Sequence, residues 1–371
     1  MKQPVRILHI FNHMNPGGAE TMIMNLYRKL DRSRIQFDFA VSVQERGHFD
    51  NEIEALGGRI FRLSHPSQSL FAFMKELKET LLHGEFHAVH SHVHYFSGIT
   101  ISIAKRMGIP IRISHSHNTE DGQVNSLLRY AYRSVMKKRI LKHSTHLLAC
   151  SHDACFSLFS RSPIEDNRIH IIKNAIDLES FRKNNQMVYS KKDISLPESA
   201  IVIGHIGRFS KQKNHEGLIH IFSHFHNQVK NAHLVLVGEG ELRKNIENLV
   251  KEKQLESYVH FLGVREDISS LLTLFDVFLF PSLYEGLGVV LIEAQAAGVQ
   301  CVISANIPKE VAIVKEMVSF VPLEAPLSEW QTAIENALTQ NPDTFNNRKK
   351  YLMDQGYDIN ASVKQLELIY A

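Results

Sequence analysis

The sequence predicts an α/β protein built from two doubly wound domains, and three observations carry that reading. Strands alternate with helices along most of the 371 residues, the pattern of βαβ units and parallel sheets. The strand–loop–helix opening occurs twice: Val5–Ile10, Asn15–Glu20 and Met22–Leu30, then Ile201–Arg208, Phe209–His215 and Glu216–Asn227. Between the two starts, residues 182–199 are polar and hold one proline, Pro197, which marks a linker. Two Rossmann-like domains of this kind are expected to face a central cleft between the carboxyl ends of their strands.

Composition narrows the class. Apolar residues make up 44% and charged residues 22% of the chain, ordinary values for a folded globular protein. A net charge of +3 is too small to point to nucleic acid. The three cysteines, Cys150, Cys155 and Cys301, have no metal-ligand spacing and read as reduced thiols of a cytoplasmic protein. The longest apolar stretch, Leu271–Leu283, is broken by Asp276 and falls short of the roughly 20 residues a bilayer span needs.

In the first half, strands are expected at Val5–Ile10, Phe37–Val43, Arg59–Leu63, Ala88–His92, Ile109–Ser114 and Leu147–Cys150, with helices such as Phe71–Leu82 and Ile99–Arg106. The turn containing Gly17 and Gly18 lets a ligand approach the backbone closely. His90, His92 and His94 alternate, so on a strand they share one face. Three such histidines suit zinc, but no carboxylate or cysteine is spaced to complete a set, and no metal is expected. They read instead as polar residues at a strand's carboxyl end, where ligand crevices form. From 127 to 146 the pattern is helical and basic, with Arg129, Arg133, Lys137, Lys138, Arg139 and Lys142. It reads either as a solvated face or as a peripheral helix on anionic lipid.

In the second half, further strands are expected at His233–Gly240 and Val259–Phe261, with a helix at Leu242–Lys253 and Asp267 capping the next. The stretch from Val277 to Ala297 then runs strand, Pro281-Ser282, a glycine turn and an apolar helix from Val289. Free amides and the positive end of that helix make an anion site at Gly286, Leu287 and Gly288. Glu285 lies in the turn, and Glu293, inside the helix, suits the cis-diol of a ribose. Arg208 and Lys213 are a fork-shaped and a point cation five residues apart. The spacing suggests a nucleotide with its diphosphate at the turn.

The run Pro281-Ser282 to Glu285-Gly286 and on to Glu293-Ala294 resembles the donor-binding segment of family 4 retaining glycosyltransferases, and Gly207-Arg208 with Lys213 resembles the family's paired cations. The run Ile307–Val311 resembles a subgroup that builds bacterial exopolysaccharides and capsules. The resemblance spans nearly the whole chain. It is degraded at Ile171–Asp177, where Lys173 and Ala175 stand in place of a proline and a glycine. It implies the GT-B architecture: residues 1–180 on the acceptor side, joined by the final helix 359–371, a linker at 181–199, and a nucleotide-sugar domain at 200–358. It further implies transfer with retention from a nucleotide-sugar donor, UDP-linked, to a glycan or lipid-linked acceptor, on the inner face of the membrane and without cofactor or metal. His117, with His115 as second candidate, would meet the donor sugar. Gly17 and Gly18 would face the phosphates, Glu285 the sugar hydroxyls, Glu293 the ribose, and the backbone at Val264 and Arg265 the base.

Two other classes remain open on sequence. A UDP-sugar 2-epimerase would bind the same donor but needs acid/base carboxylates at the anomeric carbon. A non-catalytic nucleotide-sugar-binding subunit would keep the fold, although Arg208, Lys213, Glu285 and Glu293 are all intact. A dinucleotide-dependent dehydrogenase is disfavoured, because the first glycine loop lacks G-x-G-x-x-G.

Overall fold

A computed structural model describes residues 3–117, 126–162, 164–182 and 189–371. Its elements run β1 (Val5–Phe11), α1 (Gly18–Lys29), β2 (Ile35–Val41), α2 (Asp50–Ala55), β3 (Ile60–Arg62), α3 (Leu70–His83), β4 (Phe86–Ser91), α4 (Ser97–Arg106), β5 (Ile111–Ser116), α5 (Leu127–His143), β6 (His146–Ala149), α6 (His152–Phe159) and β7 (Ile169–Ile171). They continue β8 (Ile201–Ile206), α7 (His215–Gln228), β9 (Ala232–Val237), α8 (Arg243–Glu252), β10 (Val259–Phe261), α9 (Ile268–Leu272), β11 (Val277–Phe280), α10 (Val289–Ala297), β12 (Gln300–Ser304), β13 (Val318–Val321), α11 (Leu327–Thr339), α12 (Phe345–Asp354) and α13 (Ile359–Tyr370).

The chain forms two compact units, residues 1–176 with 356–371, and residues 177–355. The first holds a parallel seven-stranded sheet ordered β3-β2-β1-β4-β5-β6-β7. The second holds a parallel six-stranded sheet ordered β10-β9-β8-β11-β12-β13. Both are doubly wound α/β sheets in which the strand order reverses at the first strand, β1 against β4 and β8 against β11. Strands such as β2, β9 and β11 are buried along their whole length, as parallel strands covered on both faces must be.

The boundaries differ from expectation where local chemistry outweighs pattern. The stretch expected as a linker, 181–199, belongs to the second unit, although residues 183–188 lie outside the described ones. Phe181, Ile194 and Leu196 are buried, and Ser190 and Asp193 close a capping box around a short 3₁₀ turn. The first unit closes on the C-terminal segment: Ile176 bridges Asp358, and Ile359, Val363, Leu366, Ile369 and Tyr370 join a core that includes Ile7, Ile23 and Phe37. Pro110 has no N–H to give a ladder, so β5 starts after it and runs on to include His115. Helix α1 begins at Gly18, four residues before the expected start, because extended Gly17 sits at its N-cap. Helices α2 and α6 are short and were not expected.

The second sheet depends on one missing side chain. A Cβ on Gly204, in β8, would stand 1.9 Å from the ring of Phe275. Gly204→Ala is therefore expected to lower the unfolding free energy by about 1–3 kcal/mol through overpacking, with part of the loss restored by Phe275→Leu. A urea-melt midpoint equal to that of the unsubstituted protein would rule this out.

Candidate functional site

The carboxyl ends of β8 and β11 are neighbours, and their loops carry the groups singled out in the second half of the chain. Backbone and side-chain bonds lock these loops together. Leu283 N–H donates to Gln212 O at 2.8 Å, and Asn214 Nδ2 donates to Pro281 O at 3.0 Å. Gln212 Nε2 donates to Tyr284 O at 3.1 Å and to Glu285 Oε2 at 3.3 Å. The β9 loop joins them through Phe209 N–H to Glu239 O at 3.0 Å. Gly238, at φ +135°, passes so near Gly207 O that a Cβ would stand 2.2 Å away, so this crossing of two loops requires glycine.

Within this frame Lys213 Nζ lies 2.7 Å from Glu285 Oε1, with only 16% and 6% of the two side chains exposed. The ammonium also sits 4.6 Å from the ring centre of Phe280, at the end of β11. Below it, burial holds His205 well under its usual value and His215 down to about 4, so neither adds a charge near neutral pH. Arg208 does not join this group. It is largely exposed and reaches Glu241 at 3.1 Å.

Gly288 occupies the N-cap of α10 at φ +63°, and its lack of a side chain leaves the helix start without a side-chain cap. The amides of Gly286, Leu287 and Gly288 have no acceptor among the described residues. Glu293, in the second turn, is half-buried and has no hydrogen-bond or ion-pair partner among the described residues. Burial pushes its carboxyl up to about 7. The site therefore offers a shielded cation, uncapped amides and a carboxyl ready to ionise. This combination suits a phosphate with an attached diol.

The loop after β10 differs from expectation at Asp267. It stands at the N-cap of α9 but makes no side-chain capping bond. Arg265 takes its carboxylate instead, at 2.8 and 2.6 Å, and holds it down to about 2. The Arg265 fork also reaches Tyr189 Oη at 3.1 Å, while Val264 is exposed.

The first unit carries the remaining candidates, Gly17 and Gly18 at the start of α1 and His117 just past β5. Asn174 lies beside Gly18, 4.0 Å from where a Cβ would be, and its Oδ1 is buried without a partner. His94 does not share the face of His90 and His92, because it opens a 3₁₀ turn at φ +48°. His90 and His92 are joined instead by His9, His115 and His117 from neighbouring strands, in rings stacked or tilted 4.0–5.4 Å apart. Gln212, Asn174 and this wider histidine group were missed by sequence reading. The repeated His-Ser-His at 90–92 and 115–117 was a signal that could have found the last.

Comparisons with known proteins give the family. Residues 189–363 match the family described as glycosyl transferases group 1, and residues 16–180 match glycosyltransferase family 4. A Bacillus subtilis (strain 168) protein named for glycosyltransferase activity, EpsF, is 38% identical over 98% of this chain and 96% of its own length. The Staphylococcus aureus capsular polysaccharide biosynthesis glycosyltransferase CapH is 28% identical over 99% and 98%. Among solved structures, Anabaena HepE in complex with UDP superposes with a TM-score of 0.76 at 18% identity, covering 98% of both chains.

Removing one member of a shielded ion pair leaves the other charge uncompensated. Lys213→Ala is expected to cost about 3 kcal/mol of stability, and the Lys213→Ala/Glu285→Ala double variant less than the sum of the two single losses. Strictly additive losses in denaturant melts would show that the two side chains do not act as a pair.

Proposed function

The chain belongs to the family 4 glycosyltransferases, and on that premise we propose that it moves a sugar from a UDP-linked donor to a glycan or lipid-linked acceptor in cell-surface polysaccharide biosynthesis. The observation that carries the donor assignment is the cluster after β8 and β11: Lys213 on Glu285, the uncapped amides at Gly286–Gly288, and the unpartnered carboxyl of Glu293. UDP bound to HepE and the polysaccharide role in the name of CapH support the same reading.

In this proposal the diphosphate lies on the Gly286–Gly288 amides, with Lys213 shared between it and Glu285, and Arg208 swings from Glu241 to the outer oxygens. Glu293 accepts from both ribose hydroxyls, Glu285 orients the sugar, His117 helps position it, and the backbone at Val264 and Arg265 faces the base. The acceptor hydroxyl attacks the anomeric carbon on the face from which the diphosphate leaves. The sugar–phosphate bond breaks, the new glycosidic bond forms, and the acceptor's proton goes to the departing phosphate oxygen. Configuration is thus retained without a protein base. No Asp-x-Asp pair is present to carry a metal on the diphosphate, so leaving-group charge falls to the amides and cations.

A second part of the proposal concerns the acceptor. Helix α5 exposes Leu127, Leu128 and Tyr130 at its start, followed by basic residues along its length. None of the helices among the described residues is long and apolar enough to cross a membrane. We assign α5 to the surface of anionic lipid, where a lipid-linked acceptor resides. Sedimentation with phosphatidylglycerol vesicles should carry the protein down, with loss at high salt and in Leu127→Ser/Leu128→Ser. Equal sedimentation of that variant would refute the assignment.

The donor assignment has a pH signature. A ribose diol donates to the ionised form of Glu293, whose carboxyl sits at about 7 in the empty protein against an ordinary 4.5. Binding must then release a proton below that value, and UDP affinity should fall by up to about tenfold per pH unit as pH drops below 7. Calorimetry in buffers of different ionisation enthalpy should detect the proton, and Glu293→Gln should bind more weakly with a flat pH profile. A pH-independent affinity in the unsubstituted protein would defeat the ribose assignment. Incubation with donor alone should yield no new sugar nucleotide, whereas its appearance would favour the epimerase reading.

A further inference from the structure

The first sheet holds a group of five imidazoles, of which the proposed donor chemistry uses only His117. His9 on β1, His90 on β4, with His92 next after it, His115 on β5 and His117 next but one line one buried region, and their nitrogens form two chains. Tyr370 Oη meets His90 Nδ1 at 2.7 Å, and His90 Nε2 meets His115 Nδ1 at 3.1 Å. His9 Nδ1 meets His92 Nε2 at 3.0 Å, and His92 Nδ1 meets His117 Nε2 at 2.8 Å. His9 Nε2, His115 Nε2 and His117 Nδ1 are left buried and without a partner among the described residues. His115, only 1% exposed, thus carries an empty nitrogen in the interior, which native proteins seldom tolerate.

We propose that His92, His115 and His117 form a three-imidazole site for a zinc-class transition-metal ion. One nitrogen from each of the three lies within 4.8 Å of the others. The assignment that leaves the supporting bonds intact uses His92 Nδ1, His115 Nε2 and His117 Nε2. The far nitrogens of His92 and His115 then stay bonded to His9 and to His90, and His90 in turn to Tyr370. Histidine ligands in metal sites have this kind of second support, which fixes ring orientation and tautomer. Seating it requires the His92 and His117 nitrogens to part from 2.8 Å to about 3.3 Å, the spacing of two ligands at roughly 2.0–2.1 Å in a tetrahedron, and the His115 and His117 rings, stacked 4.0 Å apart, to turn toward a common centre. His92 and His117 are partly accessible, so the ion has a route in, whereas the deeper His9–His90–His92 group shares only His92 with it. An ion here fastens the end of β4 to the end of β5, leaves a fourth position open, and takes His117 Nε2 away from the donor sugar, so the metal-bound state and the His117 contact proposed above exclude one another.

The test uses the full chain, stripped with chelator and titrated with Zn²⁺ by calorimetry and with Co²⁺ by visible absorption. One equivalent should bind, with the absorption of a four-coordinate nitrogen-ligated Co²⁺ and a rise in melting temperature. His92→Asn and His117→Gln should each abolish the absorption, and His9→Asn should weaken binding about 10- to 100-fold. His233→Asn, altering a histidine pair in the second unit, should leave binding unchanged. If His92→Asn does not fold by circular dichroism, His117→Gln alone decides. The proposal is overturned by the absence of stoichiometric binding, by unchanged binding in His117→Gln, or by an ion that survives His117→Gln and is lost in His9→Asn, which would place it in the deeper group. It does not depend on the donor assignment, because UDP titration reads the second unit and metal titration the first.

Discussion

In a doubly wound parallel sheet the crossover helices go to opposite faces on either side of the first strand. The loops leaving two adjacent strands must therefore part company there, and the carboxyl ends of those strands stay open. In this chain the parting strands are β1 and β4 in one unit and β8 and β11 in the other. Its chemistry collects at those places. Gly17 and Gly18 follow β1, and His92 and His94 follow β4. Arg208 and Lys213 follow β8, and Glu285 with its glycine turn follows β11. The opening alone would leave loose loops. What orders the candidate site at the second unit's opening is the set of bonds from Gln212 and Asn214 across to residues 281–285, together with the glycine-only crossing of Gly207 by Gly238.

How much of this could be read from the sequence depended on whether the signal was local. Val277–Phe280 and Val289–Ala297 match the elements observed, because an uninterrupted apolar run, a proline and a left-handed glycine each act within a few residues. Lys213 and Glu285, although each was picked out, are 72 residues apart, and no spacing rule foretells their ion pair. Asp267 looked like a helix cap, but Arg265, two residues away, offers a fork that outbids a backbone amide for the carboxylate. The stretch around Ile194 looked like a linker because it is polar, yet it buries Phe181, Ile194 and Leu196 and is tied to the second unit through Lys191 to Asp276 and Tyr189 to Arg265.

The histidine group shows the same limit more sharply. Two His-Ser-His runs stand 25 residues apart, and each alone is an unremarkable strand end. Only the pairing of β4 with β5, and of β1 with β4, brings five imidazoles into one interior region. Strand order is set by crossover geometry over the whole unit, and a stretch of sequence does not contain it. The C-terminal helix adds to this, since Tyr370 meets His90 across 280 residues.

Glu285 and Glu293 demonstrate why residue type and spacing underdetermine role. Both lie on one strand–turn–helix segment, Glu285 with its side chain nearly buried and Glu293 half-buried. Glu285 has an ammonium at 2.7 Å and an amide donor from Gln212, so its charge is already answered and its carboxylate serves to hold two loops in register. Glu293 has no such partner, and burial alone sets its environment, which raises its carboxyl to about 7. A group in that state gains most from a ligand that donates hydrogen bonds to it, because the ligand supplies what the fold withholds. The two carboxylates therefore divide the work by their surroundings. The paired one keeps the shape of the empty site, and the unpaired one is where the proposed ribose binding would be coupled to proton release.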